Sequence, residues 1–224
     1  MTESLYPVQM EIEAEPRLSG RQREARRNDA RILEAARAVF IEDPTAPISA
    51  VAARAGVGIG ALYRRYGNKE GLLRQLARDG LDRYLQEAEA AIDDGGDAWD
   101  TFARFMHRIL ESEVLAITIN LAGTFMPTDD LMADSARAAE LNARIVERTK
   151  ANGGLRPDIV VDDLSVILEQ VYALRLGDEQ RTRELRRRYL ELFLAGLRTD
   201  GPALPGPPPS PMELAARWVP ERRG

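Results

Sequence analysis

The chain has 224 residues, 44% apolar and 30% charged, with a net charge of −5, one histidine and no cysteine. This excludes a disulfide framework, any thiolate-ligated metal and any site that needs two imidazoles. No run of 18 apolar residues is present, so no membrane span is expected.

Residues 1–16 carry four acids and no base, the opposite of a signal peptide, and a cytoplasmic protein is expected. With Pro7 and Pro16 and no apolar period, residues 1–18 read as a disordered acidic segment. Residues 17–78 carry 13 basic and six acidic side chains, a net +7, whereas residues 79–224 carry 18 basic and 26 acidic ones. A basic block ahead of a larger acidic one suggests one part that meets a polyanion and another that need not.

Apolar residues recur with a helical period from about Gln22 to Ile41, where Ile32, Leu33, Ala36, Val39 and Phe40 form one stripe. Asp43-Pro44 and Pro47 stop it. A short helix over Ile48–Ala55 ends at Gly56, because glycine takes the left-handed position after a helix without penalty. A second short helix covers Ile59–Tyr66. Gly67 breaks it, and Asn68 caps a long helix to about Ile92.

Beyond the loop Asp93–Gly96, Asp97 caps a helix predicted over Ala98–Ala122, which Pro127 follows. Two helical segments are predicted at Asp129–Asp134 and Ser135–Ala151, and two more at Asp162–Leu176 and Asp178–Arg198. The tail 199–224 holds seven of the 13 prolines, which rules out a long regular helix, although Met212–Trp218 has room for a helical turn. The fold class expected is all-α with about nine helices. The expected division is the acidic segment 1–18, a helical part over 19–68, a larger helical part over 69–198, and the Pro-rich tail.

The informative stretch is Ile48–Tyr66, ISAVAARAGVGIGALYRRY. Two short helices flank a glycine-containing turn. Ala52 is small where the helices must approach, and Val51, Val57 and Leu62 form the seam. Such a helix-turn-helix places its second helix in the DNA major groove, and here the preceding helix braces the pair. The pattern Gly56-x-Gly58-x-x-Ala61 also matches a dinucleotide-binding fingerprint. That motif needs a preceding hydrophobic strand, whereas AVAARA is helical and carries an arginine.

The residues ARILEAARAVF and VAARAGVGIGALYRRYGNKEGLL resemble the DNA-binding domain of TetR-family transcriptional repressors, over Arg27–Leu73. The resemblance implies a homodimer, a roughly palindromic double-stranded DNA operator, and release of that DNA when a small-molecule effector binds the C-terminal domain. It also favours a phosphate contact for Tyr63 and for Arg65. On the residues alone, Tyr63 is either a phosphate donor or a packing side chain. Lys69 sits in a first helical turn, where the helix dipole disfavours a cation unless a phosphate is near; the other reading pairs it with Glu70. Arg64 and Arg65 leave the helix in adjacent directions, so at least one faces the duplex. The stretch Gly58-Ile59-Gly60-Ala61 has no side-chain hydrogen-bond donor. Direct readout there falls to apolar contact by Ile59 or Ala61 with thymine methyls, supplemented by backbone amides, Arg54 and Arg64. Arg21 belongs to a basic run that either reaches the minor groove or forms a solvated helix face.

In the C-terminal part, Trp99, Phe102, Met106 and Ile109 follow a helical period. They read either as plain core or, with Phe125, as the wall of an effector pocket. His107 reads as a surface or interface residue. The last two helices are apolar on more than one face, through Leu164, Ile167, Val171 and Tyr172 and then Leu185, Tyr189, Leu192 and Phe193. A helix covering one core needs one stripe, so the second stripe is assigned to a partner subunit. With no phosphate loop and no paired catalytic motif, neither enzymatic activity nor a cofactor is expected. The alternative is a helical small-molecule-binding dimer with weak or no DNA binding.

Overall fold

Among the described residues the apolar periodicity is realised as helix. The computed structural model describes residues 20–112, 121, 123–198 and 201–216, without the side chains of 21–23, 25 and 26. Among the described residues there are nine helices and no strand: α1 Gly20–Glu42, α2 Ile48–Ala55, α3 Ile59–Tyr66, α4 Lys69–Asp93, α5 Ala98–Glu111, α6 Asp129–Ala151, α7 Val161–Ala173, α8 Glu179–Leu197 and α9 Pro211–Ala216. The disordered segment expected over 1–18 lies outside the described residues.

The ends follow the local chemistry. Asn68 Oδ1 accepts from Gly71 N at 2.8 Å and Asp97 Oδ1 from Asp100 N at 3.0 Å, so both expected caps form. Gly56 closes α2 at φ 64°, in the left-handed region. One departure concerns α6, whereas the helical turn allowed for in the tail forms as α9. The two segments expected on either side of Ser135 are one helix, because Ser135 Oγ turns back to donate to Leu131 O at 2.7 Å instead of capping a new start. In the tail, Ser210 N donates to Glu213 Oε2 at 2.8 Å and Glu213 N to Ser210 Oγ at 3.2 Å, a reciprocal cap that starts α9. The helix expected to reach Ala122 ends as α5 at Glu111; residues 113–120 and 122 lie outside the described residues.

Two apolar cores form. The first gathers Ile32, Ala36 and Phe40 of α1, Val51 of α2, Leu62 of α3, and Leu72, Leu73 and Leu76 of α4. The second gathers Leu85 and Ala88 of α4, Phe102, Met106 and Ile109 of α5, Ile145 of α6, Leu168 of α7, and Leu190 and Leu194 of α8. Leu81 packs against both. The expected boundary between 68 and 69 coincides with the start of α4, but the cores meet about three turns further along that helix. The far end of α4 is held by Arg148 of α6. Its guanidinium donates to Ala91 O, Ile92 O and Asp94 O at 2.8, 3.1 and 3.3 Å, satisfying carbonyls that a helix end leaves open.

The near end of α4 depends on a glycine. A Cβ on Gly71 would lie 2.0 Å from Tyr66 O, a backbone atom that cannot give way without shifting the α3–α4 junction. Gly71→Ala is therefore expected to lower stability by roughly 1–3 kcal/mol, as overpacking does, despite the better helix propensity of alanine. Chemical denaturation of the purified variant checks this.

Candidate nucleic-acid interface and effector core

The turn between α2 and α3 is built by backbone geometry. Gly56 N donates to Ala53 O and Val57 N to Ala52 O at 3.2 and 3.1 Å, and Ala52, Val51 and Leu62 are buried where the helices cross. From the α1 side, Arg31 Nη2 donates to Ala55 O at 2.7 Å. Asp29 holds Arg65, with Arg65 Nη2 2.9 Å from Asp29 Oδ2 and Nε at 3.1 Å from both carboxylate oxygens. The hydrogen bonds and charge of Asp29 raise the Arg65 pKa. Arg65 thus locks α3 onto α1, and only the exposed remainder of its guanidinium is free for a phosphate. Neither Arg31 nor Asp29 stood out in the sequence, since an arginine bound to a carbonyl leaves no trace in spacing.

Leu62 and Tyr66 turn inward, so the helical period directs Gly60 and Arg64 outward, with Ile59 and Tyr63 along one side. Ile59 is 42% exposed and Tyr63 47%. Ala61 is only half-exposed, on the other side. Gly58 precedes α3 in extended conformation with no side-chain cap. Lys69 Nζ donates to Pro44 O at 3.0 Å and lies 5.1 Å from the Phe40 ring centroid. Burial lowers its pKa, and the carboxylate of Asp43 opposes that shift. The pairing of Lys69 with Glu70 does not occur, because Glu70 pairs with Arg74 at 2.5 Å. One of three ammonium protons is used, and the Pro44 carbonyl fixes where the rest are presented. Arg54 reaches Glu42 at 3.5 Å on an exposed surface. The side chain of Arg21 lies outside the described residues.

Residues 32–76, which span this three-helix arrangement and the start of α4, match the bacterial regulatory proteins, tetR family. These residues are similar to the N-terminal helix-turn-helix domain of that family. The whole structure is similar in fold to the TetR transcriptional regulator SCO0520 from Streptomyces coelicolor, with 23% identity, 78% of this chain and 99% of that one covered, and a TM-score of 0.55. It is similar to the TetR-like regulator LfrR from Mycobacterium smegmatis in complex with proflavine, at 23% identity, 81% and 99% coverage and a TM-score of 0.58. The ketosteroid transcriptional regulator KstR2 of Mycobacterium tuberculosis gives 19% identity, 78% and 96% coverage and a TM-score of 0.60. Among curated proteins none matches the chain.

In the second core the expected pocket residues separate. Phe102 and Met106 line a cleft in the second core together with Tyr84, Phe105, Asn142, Ile145, Val146, Val161, Leu164, Ser165 and Leu168. Its free interior is about 20 Å³, room for a single water. Ile109 is buried in the same core without lining the cleft. Trp99 stands at the edge, its ring 5.6 Å from that of Phe102 and covered by Arg198 at 4.8 Å. Phe125 belongs elsewhere: with Leu121 and Leu131 it completes the core of the DNA-binding domain. The residues missed are Tyr84, whose hydroxyl donates to Asn142 Oδ1 at 2.8 Å, and Asn142 itself. Both sit one position away from the apolar stripes of their helices, where a periodicity reading discounts polar side chains.

The apolar residues of α7 and α8 separate as well. Leu164, Val171, Tyr172 and Leu185 are buried within the protomer and are not available to a partner. Ile167 is half-buried against the same core. The face left uncovered on α8 is Tyr189, Leu192 and Phe193, exposed by 41%, 58% and 40%. His107 reaches α8 on its flank, with Nε2 2.8 Å from Glu191 Oε1. No helix among the described residues is long and apolar enough to cross a membrane.

Burial pushes the pKa of Tyr84 up from 10.0 to about 12, against the opposing bond from Asn142. Because the folded value exceeds the unfolded one, the neutral phenol's contribution is complete below about pH 10 and lost as pH rises toward 12. Stability is expected to fall over that range in the wild type, and less steeply in Tyr84→Phe, as urea melts at stepped alkaline pH will register. At neutral pH the same variant loses one hydrogen bond, about 1 kcal/mol.

Proposed function

We propose that the protein is a homodimeric repressor of the cytoplasm, which holds a roughly palindromic operator and lets go of it when a small molecule enters the second core. The observation that carries this reading is the outward face of α3, with Ile59, Tyr63 and Arg64 free of the protomer on a helix fixed to α1 through Asp29 and Arg65. Tyr63, Lys69 and Arg65 serve the phosphates, and Arg64 the bases. Arg21 and Arg54 are assigned to the flanking backbone. Phosphate contacts release counterions, so affinity for duplex DNA should fall steeply with salt. Lys69→Ala should weaken binding to all sequences alike and reduce the slope of log affinity against log salt by about one. Unchanged operator affinity at moderate salt in that variant would refute the phosphate role.

Dimerisation is assigned to the α8 face of Tyr189, Leu192 and Phe193, with Ile167 beside it. Because Leu192 is exposed in the protomer, Leu192→Asp is expected to give a folded monomer in analytical ultracentrifugation, with operator binding weakened through loss of the second half-site. Ile167→Asp, by contrast, should cost stability in the protomer itself, since it packs on the second core. A dimer of unchanged affinity from Leu192→Asp would place the interface on another face.

The effector is expected to be neutral and mainly apolar, because none of the side chains lining the cleft is charged and a buried ion would lack a partner. Tyr84 and Asn142 supply the polar contact, and Phe102 and Met106 the apolar wall. The route outward has two strands. One is α4, which spans both cores. The other is α6, whose Ile145 lines the cleft while Leu131, at its start, lies in the first core. Arg74 Nε donates to Met126 O at 3.4 Å and Arg78 meets Asp130 at 3.3 Å across the same junction. A ligand shifts the dimer only by its differential affinity for the two states, typically about 1–3 kcal/mol. The alternative, an effector-binding dimer without DNA affinity, is favoured by the lack of a side-chain donor at Gly58–Ala61, and selective binding to any duplex would dispose of it.

A further inference from the structure

The start of α3 has an unusual surface for a base-reading helix. Its first exposed side chain is Ile59, 42% accessible, with nothing polar between it and Tyr63. Gly58 and Gly60 leave the backbone bare there: a Cβ on Gly58 would meet nothing within 4 Å. A Cβ on Gly60 would meet only Arg64 Nη1, at 3.6 Å. A guanidinium nitrogen of Arg64 therefore lies one turn back, near Gly60, in the turn of the helix that Ile59 opens. Ala61, the other apolar residue of this turn, is half-covered and turned to the opposite side.

Two chemistries are thus presented together. One is a branched hydrocarbon with no hydrogen-bonding capacity. The other is a planar fork of N–H donors, with bare backbone between them. In the major groove the only hydrocarbon group is the 5-methyl of thymine, and the edge that best accepts a guanidinium fork is O6 and N7 of guanine. Adenine and cytosine both present an amino donor there, which Ile59 and Arg64 cannot satisfy; an amino group pressed against the isoleucine would be desolvated without a partner. The absence of side chains at positions 58 and 60 lets the helix approach the base edges closely enough for a methyl–methyl contact.

We propose that each operator half-site is read as a thymine whose 5-methyl packs on Ile59, within a few base pairs of a guanine held by Arg64. This rests on the DNA-binding reading and specifies the DNA class that the site takes.

The test uses the full-length protein and a duplex selected from a random-sequence pool, resynthesised with deoxyuridine for one thymidine at a time. Deoxyuridine removes the methyl and leaves every hydrogen bond intact. At one position per half-site the wild type should lose about fourfold in affinity, the transfer free energy of one methyl group, and Ile59→Ala should lose almost nothing on the same substitution. In a second series, 7-deazaguanine for one guanine, which removes N7 and leaves O6, should weaken the wild type by roughly 2- to 12-fold, half the free energy of a bidentate pair, and leave Arg64→Ala indifferent. Ile59 and Arg64 are exposed, so both variants are expected to melt as the wild type does, and a circular-dichroism melt verifies it. If no deoxyuridine matters to the wild type, or if the deoxyuridine effect persists undiminished in Ile59→Ala, the thymine contact is overturned while DNA binding stands. If 7-deazaguanine is without effect, or still weakens Arg64→Ala, the guanine contact is overturned. If the pool yields no selectively bound duplex, the DNA-binding reading fails with both.

Discussion

One helix belongs to two cores, and most of what the molecule can do follows from that. Leu72, Leu73 and Leu76 of α4 are sealed in the DNA-binding domain, while Leu85, Ala88 and Ala91 of the same helix are sealed in the C-terminal one. A helix is stiff over such a length, so neither core can shift along it without moving the other. Both ends are also pinned. Asn68 and the close approach of Gly71 to Tyr66 fix the first turn, directly after α3. The guanidinium of Arg148 fixes the last turn to α6. The orientation of α3 is thereby tied to the packing of a core whose nearest residues lie several turns away along α4.

The DNA-binding domain was legible in the sequence because its determinants are local. Gly56 must be left-handed to end α2, Ala52 must be small for α3 to approach, and Asn68 caps α4; each is a requirement on one residue within a short window. The second core was legible as a composition of apolar helices but not as an arrangement. Phe125 shows why. It follows α5 in the chain and reads as a continuation of the Trp99–Ile109 stripe. The chain turns back after Leu121, however, and the side chain enters the other core. Nothing near Phe125 in sequence specifies that destination.

The α8 face shows a related limit. Leu185, Leu190, Leu194 and Leu197 form the buried stripe, and Tyr189, Leu192 and Phe193 the exposed one. Two apolar stripes could be counted from the sequence, yet which of them faces inward depends on how α5 and α7 receive the helix. His107 of α5 meets Glu191 of α8, and Arg186 of α8 lies over the Tyr172 ring of α7 at 4.2 Å, so polar and cation–π contacts at the margins help set that rotation. Such contacts involve residues far apart in the chain and have no period.

The tightness of the second core bears on how an effector can act. A cleft with room for one water does not admit a drug-sized molecule, so the proposed ligand switch requires a second state with the cleft open. Two of the walls of the cleft are Asn142, Ile145 and Val146 on α6 and Val161, Leu164, Ser165 and Leu168 on α7. Of these elements, α6 is the one that also reaches the DNA-binding domain, through Leu131 and the neighbouring Phe125. Because packed cores rearrange between discrete states and do not stretch, a displacement of α6 must either carry Leu131 and Phe125 with it or break their seal. In both cases the change falls on the first core, which Leu62 of α3 and Leu72 and Leu76 of α4 share. Moving such an equilibrium from 1:99 to 99:1 takes about 5.5 kcal/mol of differential binding. Burying the apolar surface of a modest ligand supplies that amount only if the closed state excludes it altogether, and a filled cleft is the arrangement that does so.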